Sequence, residues 1–112
     1  MRHLPVIAAL AWIPVIGAPT VREVTIDFKT FQVTPDTVTV SMGTTVKWVN
    51  RDQIEHTVTG GTPEARVAGW DIVLTGEGTI GTRTFSRAGT YTYFCDRHRF
   101  MKGTIVVTTT TR

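Results

Sequence analysis

Short alternating segments separated by turn residues are the feature that most constrains how this chain folds. Apolar residues alternate with polar ones at positions 24–29 and 37–41, as they do in a strand with one buried face. The segment 90–94 is rich in threonine and aromatic residues, a composition typical of strands. Turn residues interrupt the chain about every ten positions, and no long stretch has a helical period. The pattern predicts an all-β Greek-key β-sandwich of about seven to eight strands.

One part of the chain carries a much weaker strand signal than the rest. Residues 60–81 contain six glycines and one proline, so we expect a long connection there with one short strand near residues 70–74. The other predicted strands lie at residues 24–28, 38–40, 46–50, 56–58, 82–86, 90–94 and 104–108.

The first residues have the composition of an export signal. A short basic opening precedes an uncharged, largely apolar run at positions 4–16, which is followed by small residues. We therefore expect a signal peptide over residues 1–18, one domain over residues 19–112, and a periplasmic or extracellular location. The run is shorter than the roughly 20 residues of a spanning helix, so stable membrane insertion is not expected. A buried N-terminal strand or an interfacial anchor is the alternative interpretation.

The charge of the chain is only mildly basic. Lys and Arg total 12 and Asp and Glu total 9, which gives a formal net charge of +3. No block of like charges or basic stripe interleaved with aromatic residues is present, so nucleic-acid binding is not expected. The small positive excess is suited to steering an encounter with an acidic partner.

The lone cysteine, Cys95, begins the segment that carries the strongest chemical signal. It cannot form an internal disulfide, and an exported thiol is open to oxidation unless something occupies it. His98 and Met101 follow Cys95 at three-residue intervals, a spacing at which the side chains of one loop can converge. Thiolate, imidazole and thioether form a soft ligand set that suits copper in both oxidation states. His56 is the natural second imidazole, because His3 lies in the predicted leader.

Two segments resemble the cupredoxins, the small blue copper electron carriers, and most closely their amicyanin and plastocyanin branch. The segment 89–103 is similar to the ligand loop of the family, with two residues between each pair of candidate ligands as in amicyanin. Positions 46–50, with His56 six residues after Asn50, are similar to the segment that carries the first histidine. The resemblance covers roughly residues 21–108. It implies a monomeric electron carrier, not an enzyme, that cycles one type 1 copper ion between Cu(II) and Cu(I).

The resemblance also implies a role for each site residue. The backbone carbonyl of Glu55 would approach the copper from the side opposite the axial ligand. Asn50 would form hydrogen bonds to the Cys95 loop and so hold the two ligand-bearing loops together. The implied equatorial ligands are His56, Cys95 and His98. The implied weak axial ligand is Met101.

The same resemblance makes His98 the point at which electrons enter and leave, through an apolar surface patch. Phe100 and Met42 are candidates for this patch, although a place in the core is equally consistent for Phe100. Redox protein partners would dock near His98, and the flanking cations would favour an acidic partner. These cations are Arg97, Arg99 and Lys102.

Three residues depart from the pattern of the family. Asp96 follows Cys95 where relatives often have a small hydroxyl or other polar residue, and a carboxylate there is expected to lower the reduction potential. Glu55 stands where amicyanin has proline, so its backbone carbonyl is expected to approach the copper differently. Arg99 takes a position often held by proline, which predicts a less pre-stiffened ligand loop.

Four other functions remain open on the sequence alone. The first is a protein that stores or delivers copper without redox turnover. The second is a domain of a multicopper oxidase or nitrite reductase, but His56 and His98 leave no histidine outside the leader for a further metal site. The third is a zinc site, in which an axial methionine has little use. The fourth is an immunoglobulin-like binding module without a metal.

Overall fold

The computed structural model describes residue 3 and residues 22–109 of the 112-residue chain. The predicted signal peptide over residues 1–18 lies outside the described residues, apart from His3. Within the described part, no helix is long and apolar enough to cross a membrane. The described residues form nine strands: β1 (Glu23–Lys29), β2 (Gln32–Thr34), β3 (Thr37–Ser41), β4 (Thr44–Asn50), β5 (His56–Thr62), β6 (Ala65–Leu74), β7 (Ile80–Phe85), β8 (Gly89–Phe94) and β9 (Lys102–Thr108).

These strands form two sheets, which confirms the predicted all-β sandwich. One sheet has the order β2-β1-β4-β7 and the other the order β3-β9-β8-β5-β6. β1 pairs with β4 and β3 with β9 in parallel, while the remaining neighbours are antiparallel. The alternation seen in the sequence directs the apolar residues of each strand inward. Fully buried examples come from both sheets: Ile26, Phe28, Trp48 and Ile105.

The prediction of a long connection over residues 60–81 is wrong. β5 continues through both glycines to Thr62, and β6 is the longest strand, with ten residues. β6 is an edge strand whose first five residues are exposed, so it lacks the alternating pattern by which strands are recognised. Gly60 is required where β5 meets β6, because a Cβ atom there would lie 2.4 Å from Cε3 of the buried Trp70 ring. Gly69 has a φ of +80° and lies where the register between the two strands shifts.

The pairing of β5 with β8 brings the two predicted ligand segments to one end of the sandwich. Thr59 of β5 pairs with Phe94 of β8, and the strands are antiparallel. The first residue of β5, His56, therefore lies beside the end of β8, which Cys95 directly follows. The loop that starts at Cys95 returns to β9, so Met101 immediately precedes that strand.

Candidate metal centre

His56, Cys95 and His98 converge at this end of the sandwich. Cys95 Sγ lies 3.7 Å from His56 Nδ1 and 3.9 Å from His98 Nδ1, and the ligand atoms of all three residues lie within 4.8 Å of one another. His56 and Cys95 are completely buried, whereas His98 is partly exposed. The three residues that the sequence predicts as equatorial ligands are thus brought together by β5 and by the loop between β8 and β9.

Met101 lies at the end of the same loop and is 2% exposed. Its amide donates a hydrogen bond to the His98 carbonyl at 2.9 Å, and its carbonyl accepts one from the Cys95 amide at 2.8 Å. These two backbone bonds close the loop on itself and fix its two ends. Arg99, which predicts a less pre-stiffened loop, lies inside this closed loop.

The expected hydrogen bonds from Asn50 to the Cys95 loop are wrong. The Asn50 side-chain amide donates to the carbonyls of Ile54 at 2.8 Å and Leu74 at 3.1 Å, and its Oδ1 accepts from the Asp52 amide at 2.8 Å. Asn50 therefore ties the loop before His56 to β6. Its position at the end of β4 places its side chain inside the turn that follows the strand.

Thr57 makes the connection to the Cys95 loop instead. Its backbone amide donates to Cys95 Sγ at 3.3 Å, and its hydroxyl accepts from the Asp96 amide at 2.7 Å. Thr57 can do this because it follows His56 on β5, directly beside the end of β8. No sequence pattern identifies this residue, since a threonine in a strand carries no distinct signal.

Asp52 is a second residue of the site that no sequence motif identifies. Its Oδ2 lies 2.8 Å from His56 Nε2, the ring nitrogen that does not face Cys95. Its two oxygens also accept hydrogen bonds from the amides of Thr30 at 2.7 Å and Phe31 at 3.1 Å. Burial raises the pKa of Asp52, but the hydrogen bonds from His56, Phe31 and Thr30 outweigh it and hold the pKa below its usual value.

The charges that depart from the family pattern are paired in the structure. Asp96 contacts Arg66 through two hydrogen bonds, at 2.8 and 3.1 Å, and Arg99 at 3.2 Å. The hydrogen bond from the Arg66 guanidinium is the main reason that the pKa of Asp96 lies below its usual value. Glu55 pairs with Arg97 at 2.6 Å. The negative charge beside Cys95 is therefore offset by two neighbouring cations.

Aromatic rings surround the two histidines. Phe31 lies with its ring centroid 5.0 Å from His98 and 5.8 Å from His56, and Phe100 lies 6.2 Å from His98. Phe100 is 68% exposed, which excludes it from the core and places it on the surface beside His98. Phe31, at 41% exposure, completes an apolar surface there that was not predicted.

The placement of Met42 in this patch is wrong. Met42 lies in the turn between β3 and β4, and its amide bonds to the carbonyl of Thr108 at the end of β9. The Cys95 loop enters β9 at its other end, at Lys102. A strand of this length spans roughly 20 Å, so Met42 is on the opposite end of the sandwich.

The chemistry of this cluster fits a copper ion. One thiol and two imidazole nitrogens are the equatorial donors of blue copper sites, and a methionine at the end of the loop matches their weak axial ligand. A metal about 2.0–2.3 Å from each of three donors in one plane leaves those donors roughly 3.5–4 Å apart. The separations of 3.7 and 3.9 Å agree with this requirement.

Comparisons with known proteins agree with this site. A family model for copper binding proteins of the plastocyanin/azurin family matches residues 20–108. The chain is 38% identical to amicyanin of Paracoccus denitrificans over 71 residues, which are 61% of this chain and 52% of that protein. It is 36% identical to plastocyanin of Scenedesmus fuscus over 81 residues, 65% of this chain and 83% of that protein. The chain thus spans about half the length of the first of these relatives.

Solved structures share the fold. Amicyanin from Paracoccus versutus superposes with a TM-score of 0.65 at 26% identity, covering 84% of this chain and 87% of the other. An oxidised amicyanin variant with one proline replaced by alanine has a TM-score of 0.63 at 31% identity, covering 77% of this chain and 82% of the other. Both superpositions extend over most of each chain, so the similarity includes the two sheets and is not limited to the ligand loop.

Proposed function

This chain belongs to the plastocyanin/azurin family of copper binding proteins, and we propose that it carries single electrons between redox partners. When bound, the copper ion supplies the one-electron couple between Cu(II) and Cu(I). The observation that carries the proposal is the convergence of one thiol and two imidazoles, with Cys95 Sγ 3.7 Å from His56 Nδ1 and 3.9 Å from His98 Nδ1. Electron transfer, not catalysis, is the use of such blue copper sites.

In this proposal His56, Cys95 and His98 are the equatorial ligands and Met101 is the weak axial ligand. The backbone carbonyl of Glu55 is the candidate for a weak contact on the opposite side. The convergence of the first three side chains supports their assignment, and the burial of Met101 at the closed end of the loop supports its own. The soft sulfur donors favour Cu(I), while the imidazoles suit both oxidation states.

The protein keeps these donors in place while the charge at the site changes. The Thr57 amide donates to Cys95 Sγ, and the loop is closed by backbone bonds between Cys95 and Met101 and between Met101 and His98. Cu(I) and Cu(II) prefer different geometries, so fixed donors limit the rearrangement that accompanies each electron. Packing of the loop against two rigid sheets is the physical basis of this restraint.

Electrons are proposed to pass through the partly exposed ring of His98. Phe31 and Phe100 flank this ring, and together they give the partner an apolar contact surface. Three cations of the ligand loop and its end, Arg97, Arg99 and Lys102, flank this surface, and they would favour an acidic partner.

We also propose that the chain acts outside the cytoplasm as a monomer. The composition of residues 1–18 supports export, with residues 19–112 as the mature domain. N-terminal sequencing of the protein recovered from the cell envelope or medium tests the cleavage. Recovery of the intact N-terminus in the cytoplasm would contradict this location.

An absorption spectrum of the Cu(II)-loaded protein tests the proposed function. We expect an intense blue colour from thiolate-to-copper charge transfer, and we expect Cys95→Ser to abolish it while leaving the fold intact. Met101→Leu should shift the reduction potential, whereas the control Met42→Leu, at the far end of the sandwich, should not. A fully copper-loaded wild-type protein without colour would contradict the proposal.

Storage or delivery of copper is the alternative that the same protein can test. An electron carrier can be reduced and reoxidised repeatedly, and it retains its copper in the presence of a chelating acceptor. Rapid loss of Cu(I) to the acceptor, together with slow reduction, would instead indicate a delivery protein. Both measurements use the wild-type holoprotein, so neither depends on the effect of a substitution.

A further inference from the structure

The connection between β1 and β2 has an unusual backbone conformation. Thr30 and Phe31 have φ values of 53° and 57°, in the left-handed region that side chains other than glycine seldom adopt. Neither residue is a glycine or an asparagine, so the turn depends on contacts made elsewhere. Both amides point to one carboxylate, with the Thr30 amide 2.7 Å from Asp52 Oδ1 and the Phe31 amide 3.1 Å from Asp52 Oδ2.

The same carboxylate also contacts a proposed ligand. Asp52 Oδ2 lies 2.8 Å from His56 Nε2. Since Nδ1 of this ring faces Cys95, Nε2 is the nitrogen left to carry the proton and to donate it in a hydrogen bond. Asp52 is itself held in place, because its backbone amide donates to Asn50 Oδ1 at 2.8 Å.

The turn that Asp52 holds carries a ring over both histidines. The Phe31 centroid lies 5.8 Å from His56 and 5.0 Å from His98, edge-on in each case. A different conformation of the turn would move this ring and admit water to the edges of the imidazoles. Asp52 thus contacts His56 directly, and it acts on His98 indirectly by holding Phe31 in place.

We propose that Asp52 is a positioning residue that orients His56 and fixes Phe31 as a cover over His56 and His98. The carboxylate keeps the proton of His56 on Nε2, which leaves Nδ1 free for the metal. It also makes the imidazole a stronger electron donor, as carboxylate–histidine pairs do at metal sites. This inference rests on the proposed function only in treating the two histidines as copper ligands.

The first test uses the metal-free protein and the Asp52→Asn variant. Asparagine has a similar shape, but its NH2 group cannot accept a hydrogen bond from the ring or from an amide. In alkaline buffer, where imidazole is neutral, NMR should find His56 protonated on Nε2 alone in the wild type and as a mixture of tautomers in the variant. Hydrogen exchange at the Thr30 and Phe31 amides should accelerate in the variant.

Asp27→Asn is the matched control for charge. Asp27 is a partly exposed carboxylate on β1 that pairs with Arg51 at 3.2 Å and contacts neither histidine. We expect the control to retain the wild-type tautomer and the wild-type exchange rates. An Asp52→Asn protein with an unchanged His56 tautomer would overturn the proposal and leave Asp52 as a turn-forming residue only.

The second test measures binding of Cu(II) by competition with a chelator. Loss of a hydrogen-bonded partner of a metal ligand typically costs about 10–100-fold in metal affinity, and we expect a loss in this range for Asp52→Asn. The control Asp27→Asn should bind as tightly as the wild type. Equal affinity of the two variants would count against Asp52 as a positioning residue. The colour of the wild-type holoprotein decides the proposed function separately, and the NMR test is independent of both.

Discussion

Thr57 links the two ligand-bearing segments through both its backbone and its side chain. Its amide donates to Cys95 Sγ, and its hydroxyl accepts from the Asp96 amide. The hydroxyl lies 2.9 Å from the Thr59 hydroxyl, which in turn donates to Asp71 at 2.9 Å. The Thr59 hydroxyl has one hydrogen and donates it to Asp71, so in the bond between the two threonines the Thr57 hydroxyl is the donor. Each of the two hydroxyls therefore donates one hydrogen bond and accepts one.

Thr57→Val should therefore destabilise the metal-free protein. Valine preserves the shape and the strand propensity of threonine but leaves the Asp96 amide without its acceptor. The expected loss in the free energy of unfolding is about 1–3 kcal/mol, measured by urea denaturation. Thr45→Val is the control, because the Thr45 hydroxyl bonds to Thr84 in an exposed position and its loss should cost less than about 0.5 kcal/mol. Equal losses in the two variants would contradict the role of Thr57.

Arg66 reaches the site from β6 through Asp96, the residue after Cys95. Its guanidinium also lies over the Phe94 ring, 5.4 Å from the centroid. The pKa of Asp96 is held below its usual value chiefly by this guanidinium, so the carboxylate stays ionised at neutral pH. The positive charge of Arg66 therefore offsets a fixed negative charge beside the thiolate.

Arg66→Gln should lower the reduction potential of the copper site. Removing a positive charge and leaving Asp96 less compensated favours Cu(II), the more highly charged state. The control is Arg87→Gln, which makes the same charge change beyond the other end of β8, roughly 20 Å away along the strand. Voltammetry of the two holoproteins compares the shifts. Shifts of equal size would show that Arg66 acts only through the net charge of the protein.

The identity of the ligands is encoded in the sequence more directly than the contacts that hold them. The soft donors Cys95, His98 and Met101 are close in the chain, and their chemistry suggests one metal. Thr57 is 38 residues from Cys95, and no spacing predicts their contact. Asp52 likewise has no motif of its own. The partner of a polar side chain depends on how the loops fold, which explains why Asn50 was given the wrong partners.

At the scale of elements, strands with an alternating buried face were predicted, whereas the first half of β6, which has no buried face, was not. β1 and β3 alternate between buried and exposed positions, so their period of two is visible in the sequence. β6 has no continuous buried face at its start, and its backbone bonds to β5 alone within its sheet. Gly60 and Gly61, two of the glycines that suggested a loop, lie in β5 and are closely packed against β6. The weakest pattern thus belongs to a strand whose first half buries no side chain.

Gly60→Ala tests the packing role of one of these glycines. The added methyl group would lie 2.4 Å from Trp70 Cε3 and 2.6 Å from Cδ2, so the buried ring must shift. We expect a loss of about 1–3 kcal/mol in the free energy of unfolding, as in other overpacked cores. Gly76→Ala is the control, since nothing lies within 4 Å of its added Cβ atom. A Gly60→Ala protein as stable as the control would show that Trp70 can move without cost.

At the scale of the whole molecule, the candidate ligands occupy one end of the sandwich and the charged pairs are distributed over both ends. Glu55 and Arg97 pair at 2.6 Å beside the Cys95 loop. Glu23 and Lys47 pair at 3.5 Å, where Glu23 begins β1, at the end of that strand away from the Phe31 turn. β1 has seven residues, so the two ends are roughly 20 Å apart. This distance exceeds the Debye length at moderate salt, about 10 Å, so the two pairs act on different surfaces.

Arg97 and Glu55 form the charged pair beside His98. Neutralising one or the other should change the rate of reaction with a charged reagent in opposite directions. With hexacyanoferrate(III) oxidising the Cu(I) protein, Arg97→Gln should slow the reaction, because it leaves Glu55 to repel the anion. Glu55→Gln should accelerate it, because it leaves the Arg97 guanidinium uncompensated. Stopped-flow rates at low salt measure both effects. Both should shrink as the Debye length falls from about 30 Å at 0.01 M to about 8 Å at 0.15 M.

The salt dependence separates the encounter from the driving force, because a changed reduction potential alters the rate at every ionic strength. Lys47→Gln and Glu23→Gln make the same two charge changes at the other pair, and both should alter the salt dependence less than the changes at Arg97 and Glu55 do. If both pairs give equal effects, the anion responds to net charge alone and His98 is not the preferred point of contact. If only the pair beside His98 matters, electrons leave through the end of the molecule where the two histidines, Cys95 and the exposed rings lie together.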